Sequence, residues 1–307
     1  MEREGKGISL AGILTNPDSS RGRHGNPVPT DISAAALELD KIRMTEGFRP
    51  IPQLKPEKLC AQARNEVAAL TPDLLVTFAY GRIFGPRFLA LFPLGGINIH
   101  PSLLPRFRGA SPIPSVILAG DTETGICVQK LAPEMDTGDI LAMEHIQIAP
   151  DETTGSLSET VSIRAAALLV EVLLNYKSLA AGAFPQEGGA FYCREIKKEE
   201  GLIDWTKSAV EIYAQIRAFT PWPLCFTCRG NEKLFILEAV PVDAPPETET
   251  PEVPAGTVIR QDKNMGILIQ TGRGILAVRK LQWQAKKALD WKSFCNGARD
   301  FIGSKLA

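Results

Sequence analysis

Residues 98–109, NIHPSLLPRFRG, bring together side chains that can donate hydrogen bonds and move a proton. Asn98 and His100 are two positions apart, so on a strand both side chains point to the same face of the sheet. Pro101 favours an extended His100 and cannot continue a hydrogen-bonded ladder, so we expect the strand to end there. An amide and an imidazole would then face the same space at a strand end.

A carboxylate for this pair must come from another part of the chain. Residues 134–139, EMDTGD, follow an apolar run and precede the strand-like segment ILAMEHIQI. Because strand ends meet at one edge of a parallel sheet, Asp136 or Asp139 can lie beside His100. An aspartate there favours the charged imidazolium and fixes its tautomer. Together the three groups can stabilise an oxyanion and transfer a proton, which is the chemistry of acyl transfer to an amine.

Each of these residues also has a simpler interpretation. A lone histidine at a strand end is often structural, and an aspartate before Thr-Gly-Asp is often a turn residue that binds its own backbone. No cysteine or serine has the setting of an activated nucleophile, which favours direct transfer over a covalent acyl-enzyme. The chain has neither common nucleotide-binding glycine motif, and its single C-x-x-C pair, Cys225 and Cys228, lacks further ligands, so we expect no metal.

The segments around these residues predict an α/β fold. Short apolar runs alternate with helical patterns in the first half, which is typical of a Rossmann-like, largely parallel sheet. The strand-like runs are ISLAGIL, DLLVTFAY, INIH and ICVQKLA, and the helical ones are SAAALELDKIRMTEG, PEKLCAQARNEVAAL and SPIPSVILAG. A long helix is predicted over about residues 156–179, with SLSE as its capping box.

The second half has a different pattern. Residues 182–190, GAFPQEGGA, predict a linker, and one helix with several short strands then predicts a small antiparallel barrel. Residues 243–256 are rich in proline and acid and predict a solvated loop. Residues 255–307 hold ten basic and three acidic side chains. Such a surface can follow a phosphate backbone, although a merely solvated face is an equal alternative on composition alone.

Bulk composition limits the functional class. With 307 residues the chain suits two domains, and its 34 basic and 35 acidic residues create no global field that attracts nucleic acid or membrane. No segment approaches the length that spans a bilayer, and the six scattered cysteines suit reduced core thiols. We therefore predict a soluble, cytoplasmic protein.

The motifs resemble those of a known family. NIHPSLLPRFRGASPI followed by MDTGDIL is similar to the signature of the methionyl-tRNA formyltransferases. The resemblance covers nearly the whole chain, through TNPDSSRGRHG, PEKL, AYGRIF and EEGLIDWTKSAVEIYAQIRAFTPWP. The combination is specific, because the shorter glycinamide ribonucleotide formyltransferases share the asparagine, histidine and aspartate but lack the second domain.

The resemblance implies a formyltransferase catalytic domain over residues 1–181, a linker over 182–193 and an OB-like tRNA-binding domain over 194–307. The implied enzyme transfers the formyl group of 10-formyltetrahydrofolate, its co-substrate, to the α-amino group of methionyl initiator tRNA, which supports translation initiation. The match selects Asp136 rather than Asp139, and makes Asn98, His100 and Asp136 the catalytic set. It assigns the folate contacts to Ser102, Leu103, Leu104 and Pro105.

The same resemblance implies where tRNA binds. The early basic loop makes Arg21 and Arg23 phosphate contacts, although His24, Gly25 and Asn26 make this loop less basic than is usual in the family. The basic terminal domain makes Lys286 and Lys287 further contacts. Arg106 and Arg108 stay open between structural and substrate roles. We expect a monomer.

One departure from the family concerns the start of the chain. Family members begin with a strand, a G-T-P-x-F-A-like turn and a helix before the strand that ISLAGIL resembles, and we expect the start codon to be placed too late. One alternative is a truncated tRNA-binding remnant with impaired catalysis, because loss of a central strand exposes strand edges. Another is a formyltransferase for a different amine, such as a nucleotide-linked amino sugar, against which the basic terminal barrel argues.

Overall fold

The computed structural model describes residues 7–20, 25–242 and 253–307. The helices are α1 Asp31–Thr45, α2 Ala61–Ala68, α3 Pro86–Leu89, α4 Pro112–Leu118, α5 Thr154–Leu174, α6 Tyr176–Ala181, α7 Ala209–Ala218 and α8 Trp291–Gly297, with a 3₁₀ helix at Lys198–Gly201. The strands are β1 Ile13–Leu14, β2 Ser19–Ser20, β3 Pro27–Val28, β4 Gln53–Leu54, β5 Leu75–Thr77, β6 Gly96–His100, β7 Arg108–Gly109, β8 Glu123–Lys130, β9 Ile140–Gln147, β10 Tyr192–Cys193, β11 Cys225–Arg229, β12 Glu232–Val242, β13 Val258–Asp262, β14 Gly266–Gln270, β15 Ile275–Trp283 and β16 Leu289–Asp290.

The chain forms two compact units, each assembled from several stretches. Unit 1 comprises residues 1–100, 127–144 and 165–188. Unit 2 comprises residues 101–126, 145–164 and 189–307. The chain passes from one unit to the other within β8, β9 and α5. The predicted domain boundaries, which follow the sequence resemblance, stay a prediction.

A four-stranded sheet with the order β5-β6-β8-β9 carries Asn98 and His100 on β6. Strand β6 runs parallel to β5 and antiparallel to β8, and β1 pairs with β4 in a second parallel pair. The α/β fold is therefore confirmed, with β8 as an antiparallel neighbour of β6 beside the parallel pairs.

Strand β6 has the alternation that the sequence predicts. Ile97 and Ile99 are 0% and 4% exposed, and as β-branched residues they suit a buried strand. Asn98 and His100 occupy the alternate positions, and the strand ends at His100, directly before Pro101. The predicted strand and its carboxyl end are confirmed.

Unit 1 packs an apolar core behind β5. Val67 of α2, Leu75 of β5, Phe88 and Phe92 form its buried cluster. The centroid of the Phe88 ring lies 5.1 Å from that of Phe84, and the Phe84 ring stacks on Tyr80, which follows β5. The core thereby anchors the strand next to β6.

Several predicted elements are shorter or begin elsewhere. The strand predicted for ISLAGIL is reduced to β1, and α2 begins only after its N-cap, Cys60. The capping box predicted for SLSE is wrong: Thr153 and Ser156 cap α5 reciprocally, each backbone N–H donating to the other residue's hydroxyl. The long helix is interrupted at Asn175, whose side chain donates to the Glu171 carbonyl at 2.9 Å and so competes with the helical backbone.

Unit 2 contains the predicted antiparallel β domain. Its strands follow the order β11-β12-β15-β14-β13, with β16 beside β15. The last residues of the chain bind both outer strands, since Val258 N–H donates to the Ser304 carbonyl at 2.9 Å and Cys228 N–H to the Ala307 oxygen at 2.8 Å. These bonds connect the two edges, as a small barrel requires. Most of the predicted solvated loop, residues 243–252, lies outside the described residues.

Candidate active site

Three neighbouring strands place polar side chains directly opposite one another. Thr77 of β5 is in register with Asn98 of β6, and Asn98 is in register with Gln129 of β8. Residues that face each other across strands project from the same side of the sheet. Thr77, Asn98 and Gln129 therefore form a continuous row, which we call the polar row.

The polar row fixes the orientation of the Asn98 amide. Thr77 Oγ1 donates a hydrogen bond of 2.6 Å to Asn98 Oδ1. Because an amide oxygen only accepts, this bond sets the carbonyl toward Thr77 and turns the NH₂ group the other way. Asn98 Nδ2 then lies 3.4 Å from Asp136 Oδ1. The side chain therefore presents N–H groups to the space around Asp136.

His100 and Asp136 face each other. His100 Nδ1 lies 3.6 Å from Asp136 Oδ2, and the two side chains are 5% and 10% exposed. At this low exposure, solvent screens the interaction between the carboxylate and the imidazole weakly. The carboxylate also determines which ring nitrogen carries hydrogen toward it. This pair can hold a proton and release it to a neighbouring group.

The loop after β8 brings Asp136 to the polar row. Gln129 Nε2 donates to Asp136 Oδ1 at 2.9 Å. Gly138 lies so close to the Lys130 carbonyl oxygen that a Cβ atom would overlap it, so only glycine fits. Asp139, the alternative carboxylate, has a different partner, since its Oδ2 lies 3.5 Å from Lys130 Nζ. Asn98, His100 and Asp136 thus lie together.

The predicted folate loop, residues 102–105, belongs to unit 2. Ser102 is fully buried and its hydroxyl donates to the Arg106 carbonyl at 2.6 Å, so this hydroxyl closes the loop on itself. Leu104 is also buried, whereas Leu103 and Pro105 are half-buried. Any contact that this loop makes with a ligand must therefore use its backbone or these two half-buried side chains.

The predicted tRNA contacts divide into two groups. Lys286 and Lys287 are exposed on the turn between β15 and β16. Arg21 and Arg23 lie outside the described residues.

The two unassigned arginines both have protein partners. Arg106 forms an ion pair of 2.6 Å with Asp121, and its guanidinium lies over the Phe107 ring. Arg108 donates to the Tyr192 hydroxyl at 3.2 Å. Both arginines thus have contacts within unit 2, and their choice between structural and substrate roles stays a question for experiment.

The cysteine pair lies on β11 in unit 2, where Cys225 is buried and Cys228 is half-buried. Cys225 is buried in β11, and this burial raises the pKa of its thiol well above the ordinary value, which keeps it protonated. Within the described ranges, no three His, Cys, Asp or Glu side chains come close enough to hold a metal ion, and no helix has the length and apolar character that membrane crossing requires.

Sequence reasoning missed three residues of this site. Thr77 and Gln129 are lone polar residues in apolar runs, and their low exposure, 8% and 2%, makes them candidates for a polar network. A polar residue inside a predicted buried strand was the available signal. Gln186, which donates to the Asp136 carbonyl, lies in the predicted linker and has no such signal.

Comparisons with known proteins find matches over nearly the whole chain. A family model described as "Formyl transferase" matches residues 2–173, and one described as "Formyl transferase, C-terminal domain" matches residues 195–299. The curated methionyl-tRNA formyltransferase of Treponema denticola is 50% identical over 298 residues, which cover 96% of this chain and 91% of that protein.

Two solved structures share the fold. The methionyl-tRNA formyltransferase from Clostridium thermocellum matches with a TM-score of 0.53 at 19% identity, covering 76% of this chain and 94% of that chain. HypX from Aquifex aeolicus in complex with tetrahydrofolic acid matches with a TM-score of 0.59 at 14% identity, covering 96% of this chain and 48% of that chain. At these identities the likeness concerns the fold alone.

Proposed function

The chain belongs to the methionyl-tRNA formyltransferase family, and from this premise we propose that it transfers the formyl group of 10-formyltetrahydrofolate to the α-amino group of methionyl initiator tRNA. One observation carries the chemistry: an amide, an imidazole and a carboxylate, Asn98, His100 and Asp136, lie together at the end of β6. These groups suit acyl transfer to an amine without a covalent enzyme intermediate.

In the proposed reaction the neutral α-amine attacks the formyl carbon of the folate. A new C–N bond forms and the formyl oxygen becomes an oxyanion. The bond from carbon to the folate nitrogen then breaks, and that nitrogen takes up the proton that the amine loses. The enzyme therefore has to stabilise one negative charge and transfer one proton.

The three catalytic residues divide these tasks. Asn98 Nδ2 and the His100 ring donate hydrogen bonds to the oxyanion. Asp136 holds the imidazole ring in position, stabilises its charged form and assists the proton transfer toward the folate nitrogen. The proposed chemistry requires no metal, since these side chains supply the donors. Rigid binding of both substrates makes the attack effectively intramolecular.

The folate and the tRNA use further residues in this proposal. The loop Ser102, Leu103, Leu104 and Pro105 contacts the folate, with Leu103, Pro105 and the backbone as its available surface. Lys286 and Lys287 contact tRNA phosphates, and Arg21 and Arg23 do so from the early loop.

The organisation of the working enzyme completes the proposal. We propose that it acts as a cytoplasmic monomer, with the catalytic domain over residues 1–181, the linker over 182–193 and the tRNA-binding domain over 194–307. Analytical ultracentrifugation of the purified protein checks the monomer, and a dimer would contradict it.

The proposal is tested by incubating the purified protein with 10-formyltetrahydrofolate and methionyl initiator tRNA. We expect formylmethionyl-tRNA, identified by mass spectrometry after the ester is hydrolysed. The control is the same tRNA with its methionyl amine acetylated, which must stay unmodified. Absence of product from the free amine overturns the proposal, and formylation of a nucleotide-linked amino sugar in its place supports the other-amine alternative.

A further inference from the structure

The side chain of Gln186 contacts the loop that carries Asp136. Its Nε2 lies 2.9 Å from the Asp136 carbonyl oxygen, 2.9 Å from the Gly138 carbonyl oxygen and 3.2 Å from Gln129 Oε1. All three partners are oxygen acceptors, and an amide NH₂ group only donates. The position therefore requires a side chain that ends in a hydrogen-bond donor. A carboxylate on a side chain of the same length has no hydrogen to donate, so it would face three acceptor oxygens without forming a hydrogen bond.

Gln186 also sets the orientation of a second amide. Because Gln129 Oε1 accepts from Gln186, the Gln129 NH₂ group is turned toward Asp136, where Nε2 donates to Oδ1 at 2.9 Å. Gln129 is 2% exposed, and a buried polar group left without its partner is costly. Two amides thus form a directional chain of hydrogen bonds that ends on the carboxylate.

This chain determines how Asp136 meets His100. Oδ1 receives N–H groups from Gln129 and Asn98, while Oδ2 faces His100 Nδ1. The backbone at Asp136 has a φ of 56°, a left-handed conformation that non-glycine residues adopt only when their surroundings hold them. Gln186 holds this backbone through the carbonyl, and Gln129 holds the side chain.

We propose that Gln129 and Gln186 are positioning residues that fix Asp136 against His100 for formyl transfer, an inference that rests on the proposed function. Gln186 lies between the two family matches, which end at residue 173 and resume at residue 195. Gln186 therefore serves the catalytic site from within the segment predicted as a linker, and it acts through Asp136.

The first test replaces Gln186 by side chains of similar length. Gln186→Met removes the donor with little change in volume, and Gln186→Glu replaces the NH₂ group by an acceptor. For both variants we expect kcat to fall on the order of 100-fold, because a carboxylate displaced by about 1 Å misaligns the proton transfer. KM for methionyl-tRNA and for the folate should stay within about 3-fold of wild type, since neither substrate is bound by Gln186.

A matched control comes from the next residue. Glu187 is exposed in the same segment, so Glu187→Gln should retain wild-type kcat. An equal loss in Glu187→Gln, or a rise in KM with kcat unchanged in the Gln186 variants, overturns the proposal.

A double variant tests whether the two glutamines act together. The kcat of Gln129→Met/Gln186→Met should be only slightly below that of the less active single variant, because both residues act through one carboxylate. Full multiplication of the two losses contradicts a shared route.

A structural readout separates this inference from the proposed function. Crystal structures of the wild type and of Gln186→Met should show Asp136 Oδ2 leaving His100 Nδ1 in the variant, and an unmoved carboxylate overturns the inference. Circular dichroism at the assay temperature checks that Gln186→Met is folded, since Gln186 is half-buried. A loss of activity that comes only from unfolding also overturns the inference. A wild type that does not formylate methionyl-tRNA contradicts the proposed function, while the crystal structures still decide the inference.

Discussion

Asp136, proposed for catalysis, and Lys287, proposed for tRNA binding, are both charged, yet they lie in very different surroundings. The Asp136 side chain is 10% exposed, accepts hydrogen bonds from Gln129 and Asn98 and faces His100. Lys287 is exposed on the turn between β15 and β16, next to another exposed lysine. One site depends on a single geometry that several neighbours enforce. The other depends on charge, which several basic residues can supply in water.

This difference predicts how each region responds to change. In the buried cluster, removing one group leaves its partners unsatisfied, so single substitutions have large effects that salt hardly alters. At the exposed turn, charge is screened within about 8 Å at physiological ionic strength, so single substitutions have small effects that depend on salt. Substitutions in the two regions test this contrast.

The variant Asp136→Asn removes the carboxylate's charge and basicity while keeping its shape. We expect kcat for formyl transfer to fall on the order of 10³-fold, since the imidazole loses the carboxylate that orients it and assists the proton transfer. Filter binding should give an unchanged affinity for methionyl-tRNA. Retained turnover would refute the role of Asp136, and lost tRNA affinity would mean that the two regions are not independent.

The variant Gly138→Ala tests the backbone of the Asp136 loop. An added Cβ would overlap the Lys130 carbonyl oxygen, so the loop has to move away from β8. A displacement of about 1 Å is expected to lower kcat on the order of 100-fold. Gly189→Ala is the control, because a Cβ there meets no atom within 4 Å and the backbone has no positive φ. Equal kcat in both variants would show that the loop tolerates displacement.

The variant Lys286→Gln/Lys287→Gln tests the exposed turn. We expect methionyl-tRNA affinity to fall several-fold, and the slope of log affinity against log salt to decrease by about 1 for each phosphate that a lysine no longer neutralises. kcat at saturating tRNA should stay at the wild-type value. Binding titrations over a salt series measure the slope, and an unchanged slope would mean that this turn is only a solvated surface.

The smallest expected effect concerns Arg106. Its ion pair with Asp121 is partly exposed, so Arg106→Gln should lower the free energy of unfolding by less than about 1 kcal/mol. If Arg106 serves only its contacts with Asp121 and the Phe107 ring, kcat should not change. Urea denaturation measures the stability. A large loss of kcat in a folded variant would instead assign Arg106 to the substrate.

Much of the fold could be predicted from local sequence patterns. The alternation in INIH and the proline that follows predict a strand ending at His100, and β6 does end there. The runs CFTCRGNEKLFILEAV and GILIQTGRGILAVRKLQW predict short strands of an antiparallel barrel, and the structure contains them as the antiparallel pairs β11–β12 and β14–β15. Helix ends were predicted less well, because a cap such as Thr153 competes with similar polar residues a few positions away.

The strand pattern of the sequence is enough to bring the proposed reactive pair together. A period of two residues puts Asn98 and His100 on one face of a strand, and this depends only on backbone geometry. The sequence resemblance then selected Asp136 over Asp139, which the residues alone left open. The tertiary structure decided which neighbours hold that carboxylate. Gln186 contacts Asp136, which is 50 positions away in the sequence, and Gln129, which is 57 positions away. Local patterns cannot encode these contacts, because they depend on strand register and on the path of the chain after α6.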